Sequence, residues 1–154
     1  MNYNALANLR YEIRRFLSFS EQAARAAGLE PQQHQAMLAI KGLPAGQRPT
    51  IGVLAERLQL QHHTTVELTG RLAAKRFIQR RRGASDRREM LLTITSRGEE
   101  ILRQLSLTHR AELRSAGPIL LRALKEVIQD DQFSRRRLAF RYGRGHQNTK
   151  RKLS

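Results

Sequence analysis

Residues 78–95 read Ile78-Gln79-Arg80-Arg81-Arg82-Gly83-Ala84-Ser85-Asp86-Arg87-Arg88-Glu89-Met90-Leu91-Leu92-Thr93-Ile94-Thr95. Ile78 to Arg82 and Met90 to Thr95 have strand character and flank the turn formers Gly83-Ala84-Ser85-Asp86, which predicts a β-hairpin with a basic tip. Between Lys75 and Arg88 stand seven basic residues and one acid, a local charge of +6. Charge of one sign at that density opposes itself unless a polyanion is present, so a merely solvated hairpin is the weaker reading.

Upstream, Thr65, Leu68, Thr69 and Leu72 recur every three or four positions and predict the buried face of a helix. His63, Val66, Glu67 and Gly70 then share the opposite face. A short break at Gln59–Gln61 separates this helix from another with Val53, Leu54 and Leu58, for which Thr50 is the expected N-cap. The Pro/Gly-rich stretch Leu43–Pro49 is a loop. Ahead of it, Pro31 opens a helix with Ala36, Met37, Leu38 and Ile40 as apolar positions, ending at Gly42. Leu6, Leu9, Ile13, Phe16 and Leu17 mark a first helix that Gly28 stops. That stripe is too long for one small domain to cover, which points to a partner helix.

Downstream, Ser96 is the expected cap of a helix carrying Ile101, Leu102, Leu105 and Leu113. Gly117-Pro118 is expected to break it, with a last apolar helix over Ile119–Ile128. From Phe133 the chain reads as a poorly ordered basic extension. The expected organisation is therefore a dimerisation helix over 1–30, a reading domain over 31–98, dimerisation helices over 99–132 and a tail over 133–154.

The chain has 154 residues and a net charge of +16, from 29 Lys and Arg against 13 Asp and Glu. The span Phe133–Ser154 holds eight of the basic residues and no acid, which leaves 21 basic against 13 acidic, or +8, over residues 1–132. Most of the body's excess thus lies in the hairpin segment. Zero cysteines exclude disulfides, thiolate metal sites and thiol chemistry. No apolar run spans a bilayer and no signal-peptide core opens the sequence, so a cytoplasmic protein without a membrane partner is expected. No phosphate-binding glycine loop, nucleophile motif or clustered carboxylate pair appears, so no enzyme and no cofactor is expected. His62 and His63 are adjacent, point apart on a helix and lack a completing carboxylate pair, so no metal site is expected.

Two short helices, a tight turn and a basic hairpin make a winged helix-turn-helix. The expected fold class is mainly α with a small β-hairpin wing and flanking dimerisation helices. Such a helix fits the major groove, where base edges carry a full hydrogen-bond code, and a basic hairpin can reach the minor groove beside it. The basic residues from Lys75 to Arg88 are assigned to that second contact.

Residues 50–98 resemble the DNA-binding core of the MarR family of bacterial transcription regulators. Asp86-Arg87-Arg88 followed by Leu91, Thr95 and Gly98 is similar to the family's wing pattern. Ile51–Leu58 resembles its first reading-domain helix, and Arg71-Leu72 with Phe77–Arg80 resembles the second. The flanking helices extend the likeness over roughly residues 5–130.

The resemblance implies a homodimer with intertwined terminal helices on a palindromic operator, acting as an effector-responsive repressor. It implies Arg88 as the minor-groove arginine, Asp86 as the residue orienting a wing arginine, and Arg71 on a phosphate. His63, Thr64, Val66 and Glu67 would face the major groove, with His62 at the same helix start. Arg80, Arg81, Arg82 and Arg87 complete the expected double-stranded DNA contacts. The effector class implied is a small aromatic or phenolic anion, held near helices one, two and five by residues the sequence does not identify. Arg76 stands where the family usually has glycine, which makes that turn strained or shifted.

A constitutive, non-specific architectural or RNA-associated protein is the alternative, and a sensor that has lost DNA binding is a third reading. For the tail, a solubilising segment, a DNA clamp and a membrane or RNA contact all stay open.

Overall fold

A computed structural model describes the backbone of residues 2–143 apart from 85 and 87, and side chains as far as residue 129. Among the described residues the order is α1 (Tyr3–Ala26), α2 (Pro31–Lys41), α3 (Ile51–Leu58), α4 (His62–Ala74), β1 (Ile78–Arg82), β2 (Met90–Ile94) and α5 (Ser96–Gly143). The chain divides into two compact units. One joins α1 up to Leu17 with α5 from Glu112, and the other runs from Ser18 to Ala111. Both divisions fall inside helices, α1 and α5.

Within Ser18–Ala111 the helix ends follow from local chemistry. Gly28, at φ +78°, closes α1: its N–H meets the Arg25 carbonyl at 2.9 Å and the Leu29 N–H meets the Ala24 carbonyl at 3.0 Å. This is a Schellman closure, and Leu29 is buried beneath it. Pro31 opens α2, while the Gln33 side chain accepts the Glu30 N–H at 3.1 Å. Thr50 caps α3 as expected, its hydroxyl oxygen accepting the Val53 N–H at 3.2 Å.

Two further Schellman closures end α3 and α4, both on residues other than glycine. Gln59 (φ 54°) lets the Leu60 N–H reach the Ala55 carbonyl at 2.9 Å. Arg76 (φ 61°) lets the Phe77 N–H reach the Leu72 carbonyl at 3.0 Å. The turn at Arg76 therefore forms in its usual shape, and the arginine carries the cost of a left-handed backbone.

The core of this unit gathers Ala36, Met37, Ile51, Leu54, Leu68, Leu72, Phe77, Ile78, Leu92, Leu102 and Leu105. Of the apolar positions on α2, Ala36, Met37 and Ile40 are buried and Leu38 is half exposed. β1 and β2 pair antiparallel, with Ile78 opposite Ile94, Arg80 opposite Leu92 and Arg82 opposite Met90. A single bridge from Thr50 to Leu91, with the Leu92 N–H on the Pro49 carbonyl at 2.8 Å, ties the hairpin to the loop before α3.

Three expectations about α5 need correction. Its cap is Thr95, whose hydroxyl oxygen accepts the Gly98 N–H at 3.0 Å, and Ser96 is already helical. The helix also continues through Gly117-Pro118. Leu113, Ala116, Leu120, Leu124 and Val127 keep one helical phase across that pair, so the apolar spacing continues through the proline. Helical backbone then extends past Phe133 to Gly143. The remainder of the expected tail, residues 144–154, lies outside the described residues.

In the other unit, Asn2 accepts the Ala5 N–H at 3.1 Å, which starts α1. Ala5 and Ala123 are buried, while large apolar side chains stay open on both helices: Tyr3 is 76% exposed, Tyr11 59%, Leu121 52% and Ile128 51%.

Candidate nucleic-acid interface

α4 carries two distinct faces. Thr65, Leu68, Thr69 and Leu72 are buried, as their spacing predicts. The two threonines are satisfied within the helix: Thr65 donates to the Gln61 carbonyl at 3.1 Å and Thr69 to that of Val66 at 3.0 Å. His62, His63, Glu67 and Arg71 are exposed, and Thr64 and Gly70 are half-buried. Val66 is half-buried against the core cluster, so it is less available to a partner than its place in the sequence suggests.

The hairpin stands beside α4, and alternation along β1 sorts its arginines. Arg80 is half-buried, and its Nη1 lies 3.5 Å from where a Cβ on Gly70 would be. The Arg80 guanidinium thus lies along α4 at ordinary contact distance from position 70. Arg81 points from the opposite face and donates to the Gln79 amide oxygen at 3.0 Å. Arg82 and Arg88 are exposed. None of Arg71, Arg80, Arg81, Arg82 and Arg88 has a carboxylate within ion-pair distance among the described residues.

At the tip, Asp86 Oδ1 accepts the backbone N–H of Arg88 at 2.8 Å, an Asx turn. Asp86 therefore positions the Arg88 backbone. Gly83 closes the turn with its N–H on the Glu89 carbonyl at 2.9 Å, and a Cβ there would sit 2.7 Å from the Asp86 carbonyl oxygen. Arg87 and Ser85 lie outside the described residues. A residue the sequence reading missed braces the tip: Arg48, from the loop before α3, pairs with Glu89 at 2.6 Å. Only the fold brings these two together, so no local pattern announces the pair.

Lys75 and Arg76 belong elsewhere than the sequence reading put them. They follow α4 at the base of the hairpin, and a five-residue strand at about 3.3 Å per residue carries the tip roughly 17 Å away. Both line a groove with Gly28, Phe77, Arg97 and Ile101. Among the described residues no cluster of three or more potential metal ligands occurs, and no helix is long and apolar enough to cross a membrane.

Known proteins share this fold. Residues 27–89 match the model of the MarR family. The structure is similar to AbsC, a MarR family transcriptional regulator from Streptomyces coelicolor, with a TM-score of 0.68 and 19% identity over 92% of this chain and 95% of that one. It is similar to the transcriptional repressor CouR bound to a 23-mer DNA duplex, with a TM-score of 0.61 and 21% identity over 78% of this chain and 89% of that one. An S. aureus MepR variant bound to an oligodeoxyribonucleotide gives a TM-score of 0.61 and 16% identity over 87% and 95% of the two chains. These identities establish a shared fold, the winged helix. No curated protein matches the chain.

Proposed function

We propose that this chain, whose residues 27–89 match the model of the MarR family, is a member of that family and a sequence-specific double-stranded DNA-binding transcription regulator. The observation that carries the reading is that Arg71 on α4 and Arg80, Arg81, Arg82 and Arg88 on the wing have no carboxylate within ion-pair distance among the described residues. In this reading α4 enters the major groove with His62, His63, Thr64 and Glu67 at its outer edge. Arg71 meets a phosphate, and the wing, led by Arg88, enters the minor groove. AbsC, CouR and MepR, whose fold this chain shares, are consistent with it.

The regulator acts as a homodimer in the cytoplasm. Exposed apolar residues on α1 and on the distal part of α5, including Tyr3, Tyr11, Leu121 and Ile128, support a second copy as their cover. A two-fold dimer reads a palindromic operator. Repression relieved by a small aromatic or phenolic anion is the mode proposed, and no catalytic step is assigned.

The test is an operator titration of Arg88→Ala. Losing a minor-groove arginine is expected to cost about 1–3 kcal/mol of specific binding, and unchanged affinity would remove the wing from the reading. The non-specific architectural reading draws on the eight basic residues after Phe133; it expects affinity that depends on salt and hardly on sequence.

A further inference from the structure

A single acid interrupts the basic surface that would meet DNA. From Arg57 to Arg82 stand seven Lys and Arg, and Glu67 is the one acidic residue among them. Glu67 is the sixth residue of α4, in the N-terminal half of the helix, the half that meets base edges when such a helix enters the major groove. It is exposed, while Thr65, Leu68, Thr69 and Leu72 turn the other side of the helix into the core.

The chain leaves this carboxylate without a partner. A glutamate four positions ahead of an arginine on an exposed helix edge ordinarily pairs with it, because the two side chains meet over one turn. Arg71 occupies that position, yet no cation lies within ion-pair distance of Glu67 among the described residues. The side-chain hydrogen bonds recorded along α4 are those of Thr65 and Thr69, and neither engages Glu67.

A bare carboxylate is repelled by phosphates, so on this surface it costs affinity wherever it meets no donor. The major groove offers amino donors on two bases, N4 of cytosine and N6 of adenine. They are not equivalent to a group that only accepts. Adenine sets N6 beside the N7 acceptor, which a carboxylate cannot pair with and which repels it. Cytosine presents its N4 amino group with no acceptor beside it on the same edge. Guanine shows two acceptors, and thymine an acceptor and a methyl group, so neither supplies a donor.

We infer that Glu67 is a specificity-determining residue that selects cytosine, its carboxylate accepting a hydrogen bond from the N4 amino group in the major groove. This role presupposes that α4 reads DNA, as proposed, and adds the base that it selects. Repulsion serves the same end. A duplex without a donor at that position keeps the penalty, and one with cytosine there offsets it. Arg71, one turn further on and assigned to a phosphate, holds the register in which Glu67 meets one base.

The experiment selects binders from a library of random duplexes with the full chain, with Glu67→Gln and with Glu67→Ala. Affinities are then measured for the enriched sequence carrying each of the four bases at the position where the selections differ. The unaltered chain is expected to enrich cytosine there and to bind it at least about fivefold more tightly than any other base. Glu67→Gln, whose amide both donates and accepts, is expected to shift the preference to adenine. Glu67→Ala is expected to lose the preference at that position alone. Because Glu67 is exposed, both variants are expected to keep the urea midpoint of the unaltered chain.

The same motif from all three chains overturns the inference and leaves the proposed function standing. So does a Glu67→Ala chain that binds every duplex more tightly by an equal factor, or an altered position at which the unaltered chain prefers a base other than cytosine. Enrichment of no motif by the unaltered chain overturns the proposed function, and this role with it.

Discussion

The Thr95 hydroxyl donates to the Arg76 carbonyl oxygen at 2.7 Å, across nineteen positions of sequence. One side chain thus closes the turn after α4 and, by accepting the Gly98 N–H at 3.0 Å, starts α5. Helix, wing and final helix meet at this point.

Replacing Thr95 by alanine removes a helix cap and leaves a turn carbonyl without its donor. We expect Thr95→Ala to destabilise the chain by about 1–2 kcal/mol in urea denaturation, and Thr95→Ser to restore most of that loss. An equal loss in both variants would assign the effect to the methyl group.

Arg76 closes α4 at φ 61°, where glycine pays no Cβ penalty. A non-glycine residue there costs about 1–2 kcal/mol, partly offset by the greater freedom glycine has in the unfolded chain. Arg76→Gly is therefore expected to stabilise the protein by about 0.5–1 kcal/mol, read as a higher urea midpoint with an unchanged slope. The same variant removes a cation from the groove.

His34 lies buried on α2 with its ring centroid 4.9 Å from that of His109, itself placed by a 2.7 Å contact to Ser20 Oγ and a 2.6 Å contact to the Leu105 carbonyl. Burial, and secondarily the charge of His109, pushes the His34 pKa below the ordinary imidazole value. The unfolded chain then binds the extra proton more readily than the folded one. Stability is expected to be full above about pH 6.5 and to decline as pH falls below it towards the folded-state pKa. Denaturation midpoints at pH 7.5 and 5.5 measure the decline, which His34→Gln is expected to flatten.

The buried side of α4 was legible because Thr65, Leu68, Thr69 and Leu72 keep helical spacing, and the two threonines find acceptors inside their own helix. The hairpin was legible from turn formers between strand-like runs. Linear charge counting misplaced Lys75 and Arg76, because it takes no account of the strand that carries the tip away from them. Gly117-Pro118 misled because a local breaker says nothing of the apolar phase on either side of it. Thr95 and Ser96 both offer a hydroxyl, and only the approach of Arg76 and Gly98 distinguishes them. The Arg48–Glu89 brace and the groove join segments distant in sequence and leave no local trace.

Direct reading of DNA by this chain is tested most simply by fluorescence-anisotropy titration, at physiological salt, of an inverted repeat beside its own gene and of a scrambled duplex of equal length. A discrimination of at least about 10³ in favour of the inverted repeat is expected. Equal affinity for the two duplexes, falling steeply together as salt rises, would contradict it.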